Sequence, residues 1–228
     1  MRGFVAAAPA IAMLLAMTGA AWPAQSSAEK PSVYVAIYEA SCGATVPESS
    51  CAGAIVDSLL ARGVGVYLAP EVPVVATVPP ELRERLFGDK AGVSASLSAT
   101  MSAAGGFSIT SKTEAVDWSG IELQAWPWKL DEAAVAAMAR KVGASHVLTG
   151  TATASRVATD LSDTGLDEVM TVRGHLGARV AVASSGLLTA SYTNDVSQVS
   201  TSCVLGAQRC FAVLGADAAV KLGKSITG

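Results

Sequence analysis

The chain has 228 residues, of which 51% are hydrophobic, 15% charged and 5% aromatic, and its formal net charge is −3 at pH 7. A disordered chain is rich in charge and poor in Val, Leu and Ile, so this composition excludes an intrinsically disordered protein. Sixteen Lys and Arg against 19 Asp and Glu disfavour nucleic-acid binding through a basic surface. Because 43 residues are alanine, the apolar share predicts a modest core, and the length fits one domain.

The N-terminal residues have the pattern of a secretory signal peptide. Met1-Arg2 is a short positive start, and an apolar run from Phe4 to Met17 is followed by small residues. The pattern predicts a signal peptide over 1–24, with cleavage after Ala21, Ala24 or Ala28. The alternative is a membrane anchor, but the run falls short of the ~20 residues that a helical span needs. No cysteine follows the run, so we expect export to the periplasm without a lipid anchor.

Four cysteines then point to disulfide bonds. They are Cys42, Cys51, Cys203 and Cys210. An even number in an exported protein predicts two disulfides, and four cysteines allow three pairings. We favour the local pairing, Cys42–Cys51 with Cys203–Cys210, which closes two loops of roughly ten residues. A four-cysteine zinc site is the alternative, but the CxxC pairs typical of such sites are missing. We therefore expect no metal ion.

The segment before residue 70 predicts a strand, a helix and a second strand. Val33 to Glu39, VYVAIYE, is a short apolar run typical of a buried strand. Helical spacing places Ile55, Val56, Leu59 and Leu60 on one face, and Gly63 ends that helix. Val64 to Leu68 is the second strand, and this order favours a parallel pair.

Residues 92–118 predict an inserted β-hairpin. Before it, prolines at 70, 73, 79 and 80 predict an extended stretch, followed by a short helix over 81–87. Apolar and hydroxyl residues alternate from Val93 to Ala103, and a return strand begins at Phe107. We interpret the hairpin as an edge element with a solvated serine face. The alternative is a membrane-inserting hairpin, because barrel strands also alternate over about ten residues.

Aromatic residues around the hairpin are candidate interaction residues. They are Phe107, Trp118, Trp126 and Trp128. The Trp-Pro-Trp loop that ends at Trp128 can stack on a sugar or hold a partner protein. The alternative for this loop is that it covers the hydrophobic core.

The last hundred residues predict two helices and three strands. The predicted elements are a helix that Asp131 caps and Gly143 ends, strands over 145–154, 169–183 and 187–200, and a final helix over 207–226. Acidic residues crowd the turn between the first two of these strands: Asp160, Asp163, Asp167 and Glu168. Their spacing fits no calcium-binding loop, so we expect a solvated turn.

Three segments resemble a known envelope fold. Ala139 to Thr153, ARKVGASHVLTGTAT, looks like a helix followed by Gly-Ala-Asp and a strand that ends in Gly. Val180 to Ser191, VAVASSGLLTAS, resembles the Thr-Gly hairpin of the same fold. Together with VYVAIYE and the helix before Gly63, these segments are similar to the TolB N-terminal-like fold. That fold occurs in the curli secretion channel protein and in the middle domain of flagellar assembly protein T. His146 and Ser185 stand where the family has an acidic residue and Thr.

The resemblance covers about 33–68 and 131–226 and implies an α/β (α+β) fold, a mixed β-sheet flanked by helices. We expect residues 30–228 to form one domain, which carries the hairpin as an insertion. The family is non-catalytic, so it implies no catalytic residues and no cofactor. The chain itself has no HExxH, GxSxG, Walker or dinucleotide motif. His146 and His175 fall in predicted strands, and His146 would respond to pH if it is partly buried. Glu39 is the best-placed carboxylate, because ligands of open α/β sheets gather at the carboxyl ends of strands.

We therefore expect an exported, non-catalytic interaction protein that helps to assemble or stabilise a bacterial cell-envelope or surface structure, such as a flagellar or secretion-type apparatus. Its partner would be an envelope or surface-apparatus protein, bound by strand addition or aromatic anchoring, and not nucleic acid. The second hypothesis is a protomer of an oligomeric outer-membrane secretion pore that donates hairpin 93–118 to a shared barrel. Under this hypothesis the protein forms a homo-oligomer and associates with the outer membrane. A hydrolase that uses His146 or His175 is a remote third hypothesis.

Overall fold

The computed structural model describes residues 30–42, 50–78, 96–102, 107–109, 128–161 and 168–227. The predicted signal peptide, the short helix over 81–87, Trp118, Trp126 and the middle of the acidic turn lie outside these residues. The strands are β1 (Ser32–Ser41), β2 (Gly65–Leu68), β3 (Glu71–Thr77), β4 (Ser96–Ser102), β5 (Phe107–Ile109), β6 (Lys129–Leu130), β7 (His146–Leu161), β8 (Glu168–Val182) and β9 (Leu188–Ser200). The helices are α1 (Cys51–Leu60), α2 (Glu132–Lys141) and α3 (Cys203–Thr227).

The strands form two sheets. The larger sheet has the order β2-β1-β7-β8-β9, in which β1 is parallel to β2 and β7, and β7, β8 and β9 are antiparallel. The smaller sheet has the order β5-β4-β3-β6 and is antiparallel throughout. The predicted α/β (α+β) class, with a mixed sheet flanked by helices, is confirmed. The parallel pairing of the first two strands is confirmed as well.

Strand β1 lies between two hydrophobic cores. Val33, Val35 and Ile37 face the first core, which α1 and α3 complete. The alternate residues Tyr34, Ala36 and Tyr38 face the second core, which the smaller sheet and α2 complete. All six residues are at most 9% exposed. A strand that is buried on both faces reads as a continuous apolar run, and this explains the sequence VYVAIYE.

The boundaries of α1 and α2 follow the predicted signals, whereas α3 begins at Cys203, before the predicted start at Ala207. Asp131 caps α2, and its Oδ1 accepts a hydrogen bond from the backbone N–H of Ala134 at 3.1 Å. Gly63 and Gly143, which follow α1 and α2, have φ angles of +77° and +72°. Glycine adopts this left-handed conformation without steric cost, so both residues end their helices as predicted.

Helix α3 packs unusually close to β8 and to α1. Its Phe211, Leu214 and Leu222 are at most 1% exposed and occupy the centre of the first core. A Cβ atom at Gly174 of β8 would lie 2.5 Å from the Cβ of Cys210 in α3. Helix α3 also has the length and composition of a membrane-spanning helix. In this fold, however, its buried face is the core of the larger sheet.

The predicted hairpin is part of the second sheet. Strands β4 and β5 pair as expected, and the hydroxyl groups of Thr100 and Ser108 lie 2.7 Å apart on the polar face. The proline-containing stretch before the hairpin, however, forms β3, which pairs with β4 over its whole length. Leu97 and Ala99 of β4 are 1% exposed and belong to the second core. Pro73 hid this strand because proline lacks an N–H group, although its carbonyl accepts a hydrogen bond from Asp131.

Strand β7 extends further than the sequence predicts. β7 continues to Leu161 instead of ending near Ala154, and its register with β8 shifts between Arg156 and Ala158. Residues 155–160 are exposed. Because both faces of this extension meet solvent, it lacks the alternation of apolar and polar residues by which a strand is recognised.

The predicted local disulfides are wrong. Cys42 bonds to Cys203, 161 residues away, whereas Cys51 and Cys210 are free and buried. Cys203 and Cys210 lie two turns apart on α3, roughly 10 Å along the axis, which is too far for a disulfide. Cys51 begins α1 with its side chain in the first core. The single disulfide therefore joins the end of β1 to the start of α3.

Replacing Cys42 and Cys203 by Ser should lower the free energy of unfolding substantially. In the chain-entropy model, a crosslink across this many residues contributes about 5 kcal/mol. Urea unfolding measures the effect, and wild-type protein in a reductant should match the double variant. An unchanged midpoint on reduction, or a Cys42–Cys51 peptide in a non-reducing digest, would contradict the prediction.

Two glycines of β8 make a matched test of the packing against α3. Gly174→Ala places a methyl group 2.5 Å from Cys210 Cβ, and overpacking of this kind costs about 1–3 kcal/mol. At Gly177 the nearest atom to an added Cβ is 3.8 Å away, so Gly177→Ala should leave stability unchanged or raise it slightly. Thermal unfolding of both variants measures the difference. Equal melting temperatures would contradict the close approach of α3.

Candidate functional site

Glu39 lies at the carboxyl end of β1 and closes the N-terminus of α1. Its Oε1 accepts a hydrogen bond from the backbone N–H of Ala52 at 2.8 Å, and Ser50 caps the same helix through Gly53. Burial raises the pKa of Glu39 to about 7, while hydrogen bonds from the backbones of Ala52 and Cys51 oppose that shift. The predicted position of this carboxylate is thus confirmed. Its hydrogen bonds, however, satisfy backbone groups of the helix.

The two free thiols beside this end of the sheet are protonated. Burial, together with the negative charge of Glu39, raises the pKa of Cys51 far above its usual value. Burial also raises the pKa of Cys210, whose Sγ lies 3.6 Å from the carbonyl oxygen of Val172. Because the thiolate is the nucleophile and the metal ligand, both residues are packing groups here. Among the described residues, no group of three or more His, Cys, Asp or Glu could hold a metal ion.

His146 lies beside a group of hydrogen bonds that joins the starts of β1 and β7. The Ser145 hydroxyl donates to the carbonyl oxygen of Ser32 at 2.6 Å and accepts from the backbone N–H of Ser32 at 2.9 Å. His146 Nδ1 lies 3.0 Å from the same hydroxyl. Partial burial lowers the pKa of His146, so its imidazole is neutral at pH 7. Since the proton of Ser145 is directed to Ser32, the pair lacks the geometry in which a histidine activates a serine.

Of the four aromatic candidates, one packs in the core, one lies in β5, and two lie outside the described residues. Trp128 is 6% exposed and packs in the second core, so this end of the Trp-Pro-Trp loop covers the core. Phe107 lies in β5 opposite Met101, and only its backbone is described. Trp118 and Trp126 lie outside the described residues.

A polar sheet face was missed by the sequence reasoning. On one face of β7, β8 and β9, cross-strand neighbours form the row Thr153, His175 and Asp195. His175 Nδ1 lies 3.1 Å from Asp195 Oδ1, and the two side chains are 44% and 60% exposed. Catalytic triads bury the carboxylate that orients the histidine, so this row has the residue types of a triad without its environment. Alternating polar residues in β8 and β9 carried the signal for this face.

Among the described residues, the outer edge of β9 is the longest strand edge without a partner strand. In the described part of the chain, β9 pairs with β8 on one side and with no strand on the other. A polar cluster holds it on α3: Asp217 Oδ2 accepts hydrogen bonds from the Tyr192 hydroxyl at 2.8 Å and from Lys221 Nζ at 2.9 Å. Burial raises the pKa of Tyr192 to about 12. Hydrogen bonds from Lys221 and Tyr192 lower the pKa of Asp217, which stabilises its carboxylate form.

No protein-family model matches the chain, and no curated protein sequence matches it. Several solved structures are similar at low identity. The PelC dodecamer from Paraburkholderia phytofirmans is 14% identical, with coverage of 84% of this chain and 87% of that chain and a TM-score of 0.35. Lipoprotein GNA1162 from Neisseria meningitidis is 15% identical, covers 75% and 85%, and has a TM-score of 0.30. A neuraminyllactose-binding hemagglutinin homolog from Helicobacter pylori is 13% identical, covers 90% and 89%, and has a TM-score of 0.33. These likenesses assign neither a family nor a function.

The buried carboxyl of Glu39 should make stability depend on pH. Its pKa is about 7 in the folded chain against an ordinary 4.5, so the folded state binds more protons between these values. The free energy of unfolding should therefore fall as pH rises from 4.5 through 7, by up to about 3 kcal/mol. Glu39→Gln should match wild type near pH 4.5 and exceed it at pH 8, as measured by urea unfolding. Glu71→Gln, at an exposed position of β3, is the control. Parallel pH curves for wild type and Glu39→Gln would refute the assignment.

Proposed function

We propose that the chain is an exported, non-catalytic interaction protein that helps to assemble or stabilise a bacterial cell-envelope or surface structure, of the flagellar or secretion type. The observation that carries the proposal is the open edge of β9, thirteen residues long. An unpaired strand edge is a template on which another chain can add a strand through main-chain hydrogen bonds. The TolB N-terminal-like resemblance of the sequence agrees with this role.

Export is supported by two independent features. The first 24 residues have the pattern of a signal peptide. The disulfide between Cys42 and Cys203 is of the kind that persists in oxidising compartments such as the periplasm. The protein would therefore fold and act outside the cytoplasm.

A non-catalytic role is supported by the state of the reactive groups in the described residues. The free thiols are buried and protonated, the Ser145 hydroxyl is bonded to Ser32, and the His175–Asp195 pair is solvated. The pore alternative requires hairpin 93–118 to leave the chain for a barrel. Because Leu97 and Ala99 fill the second core, such a donation would expose that core to water, and we place this alternative second.

Cell fractionation and sizing test the proposal together. The protein should appear in the periplasmic fraction with the Cys42–Cys203 bond formed, and light scattering should give the same molar mass with and without detergent. A large ring that requires detergent would instead establish the pore alternative. A cytoplasmic, reduced protein would overturn the proposal.

Genetic complementation separates binding from catalysis. A strain that lacks the protein should show a defect in envelope integrity or surface assembly, which exported wild-type protein restores and a form without residues 1–24 does not. A double variant, His146→Gln with His175→Gln, should restore it equally well, because neither imidazole takes part in chemistry. Loss of complementation by a folded double variant would favour the hydrolase hypothesis.

A further inference from the structure

We propose that the chain self-associates through β9, with a second copy added antiparallel at the same edge, so that two five-stranded sheets become one ten-stranded sheet. This inference rests on the proposed function, because it names the partner of the edge which that proposal uses. Three properties of the edge support it. β9 is long and carries no Lys or Pro, an apolar flank of α3 lies beside it, and its sequence is self-complementary.

Strand β9 has few of the features that shield sheet edges: a register shift beside Thr189 at its start and the Arg209 side chain on the Val199 carbonyl near its end. Natural edge strands are short, or carry Lys, Pro or an inward-pointing charge that prevents pairing with another chain. β9 has thirteen residues, LTASYTNDVSQVS, with no Lys and no Pro. Its one charged residue, Asp195, lies on the exposed face beside His175. At the opposite end of the same sheet, β2 has only four residues. Of the two edges, only β9 is long enough for stable pairing.

One flank of α3 presents apolar side chains beside the same edge. Arg209 Nη1 donates to the carbonyl oxygen of Val199 at 3.4 Å, so this flank lies next to β9. Leu205 and Val213, one turn before and one turn after Arg209, are each 47% exposed. A core helix normally carries polar residues on the face that stays in water. A strand and helix of a second copy, placed beside β9, would cover these side chains.

The sequence of β9 is self-complementary in the register that pairs its whole length. Full overlap of two antiparallel copies centres the two-fold axis on Asn194. Thr193 then lies opposite Asp195 of the second copy, Ser191 opposite Ser197, and Tyr192 opposite Val196. Hydroxyl–carboxylate and aromatic–β-branched pairs are favourable across strands, whereas like charges directly opposite are not. The carboxylates would face each other only if the axis passed through Asp195, a register that leaves the strand ends unpaired.

Charge pairs across the axis test both the partner and the register. Ser191→Glu with Ser197→Glu places a Glu opposite a Glu in each half of the interface. Within one copy, these positions face Arg179 and Arg173 of β8, so the fold itself should tolerate the change. We expect the dimer dissociation constant to rise by about tenfold or more. Ser191→Gln with Ser197→Gln has side chains of the same size without the charge and should associate like wild type. Light scattering and sedimentation on the mature wild-type chain and both variants measure this.

A cysteine on the two-fold axis gives a second, geometric readout. Directly opposed residues of antiparallel strands have Cα atoms about 5 Å apart, within disulfide range. Asn194→Cys should therefore form a crosslinked dimer on mild oxidation. Gln198→Cys, on the same strand and face, would be roughly 27 Å from its equivalent and should stay monomeric on a non-reducing gel. Val213→Asp should weaken association through the helix flank, while Leu60→Asp, at an exposed site on α1, should not.

The outcomes separate this inference from the proposed function. A wild-type chain that stays monomeric from micromolar to millimolar concentration overturns self-association, as does a dimer that the double-Glu variant leaves intact. Crosslinking at Gln198→Cys instead of Asn194→Cys overturns the register. Periplasmic location and complementation, measured separately, would remain as evidence for the interaction role even if the partner at β9 is another protein.

Discussion

Strand β1 is the element on which the rest of the structure depends. Its six residues from Val33 to Tyr38 alternate between two cores, so one strand holds α1 and α3 on one face and the smaller sheet with α2 on the other. Its parallel neighbours β2 and β7 take their register from it. Burial on both faces leaves no room for a polar side chain until Glu39. The first carboxylate therefore appears where the strand leaves the core.

The end of β1 links the layers covalently as well as by packing. Glu39 binds the first turn of α1, and three residues later Cys42 is bonded to Cys203 at the start of α3. Both helices of the first core are thus tied to one short segment of chain. The same burial that raises the pKa of Glu39 keeps the Cys51 thiol protonated. The neighbourhood is consequently a structural junction whose ionisable groups respond to pH, and its chemistry favours stability over reactivity.

The sequence predicts the elements whose burial follows a regular pattern. β1, the helix after Asp131, and the hairpin of β8 and β9 are recognisable because apolar alternation, caps and turn glycines agree there. β3 is not predicted because proline is uncommon inside strands, and Pro73 lies in a strand that tolerates the missing N–H group. The end of β7 was missed because neither of its faces is buried.

The disulfide and the polar face depend on three-dimensional proximity. Economy of loop length favours bonds between near neighbours in sequence, but helical geometry separates Cys203 from Cys210 by two turns. The β-sheet instead brings Cys42 to Cys203 across 161 residues. The row Thr153, His175 and Asp195 likewise arises from strand register, which one sequence does not specify without knowledge of which strands pair. Of the candidate site, the sequence predicts the place of Glu39 and the presence of an edge, but not which edge is open.

Contacts with α3 hold the open edge of β9 in place, and they reduce the entropy that the strand loses when it binds. Tyr192 and Asn194 of β9 and Lys221 of α3 all converge on Asp217, and Arg209 reaches Val199 further along the strand. A strand that is bonded to a helix in its middle and near its end loses little conformational entropy when another strand pairs with it, so more of the hydrogen-bond energy remains for association. The polar cluster therefore does for β9 what a partner strand does inside a sheet. It keeps the strand extended on α3.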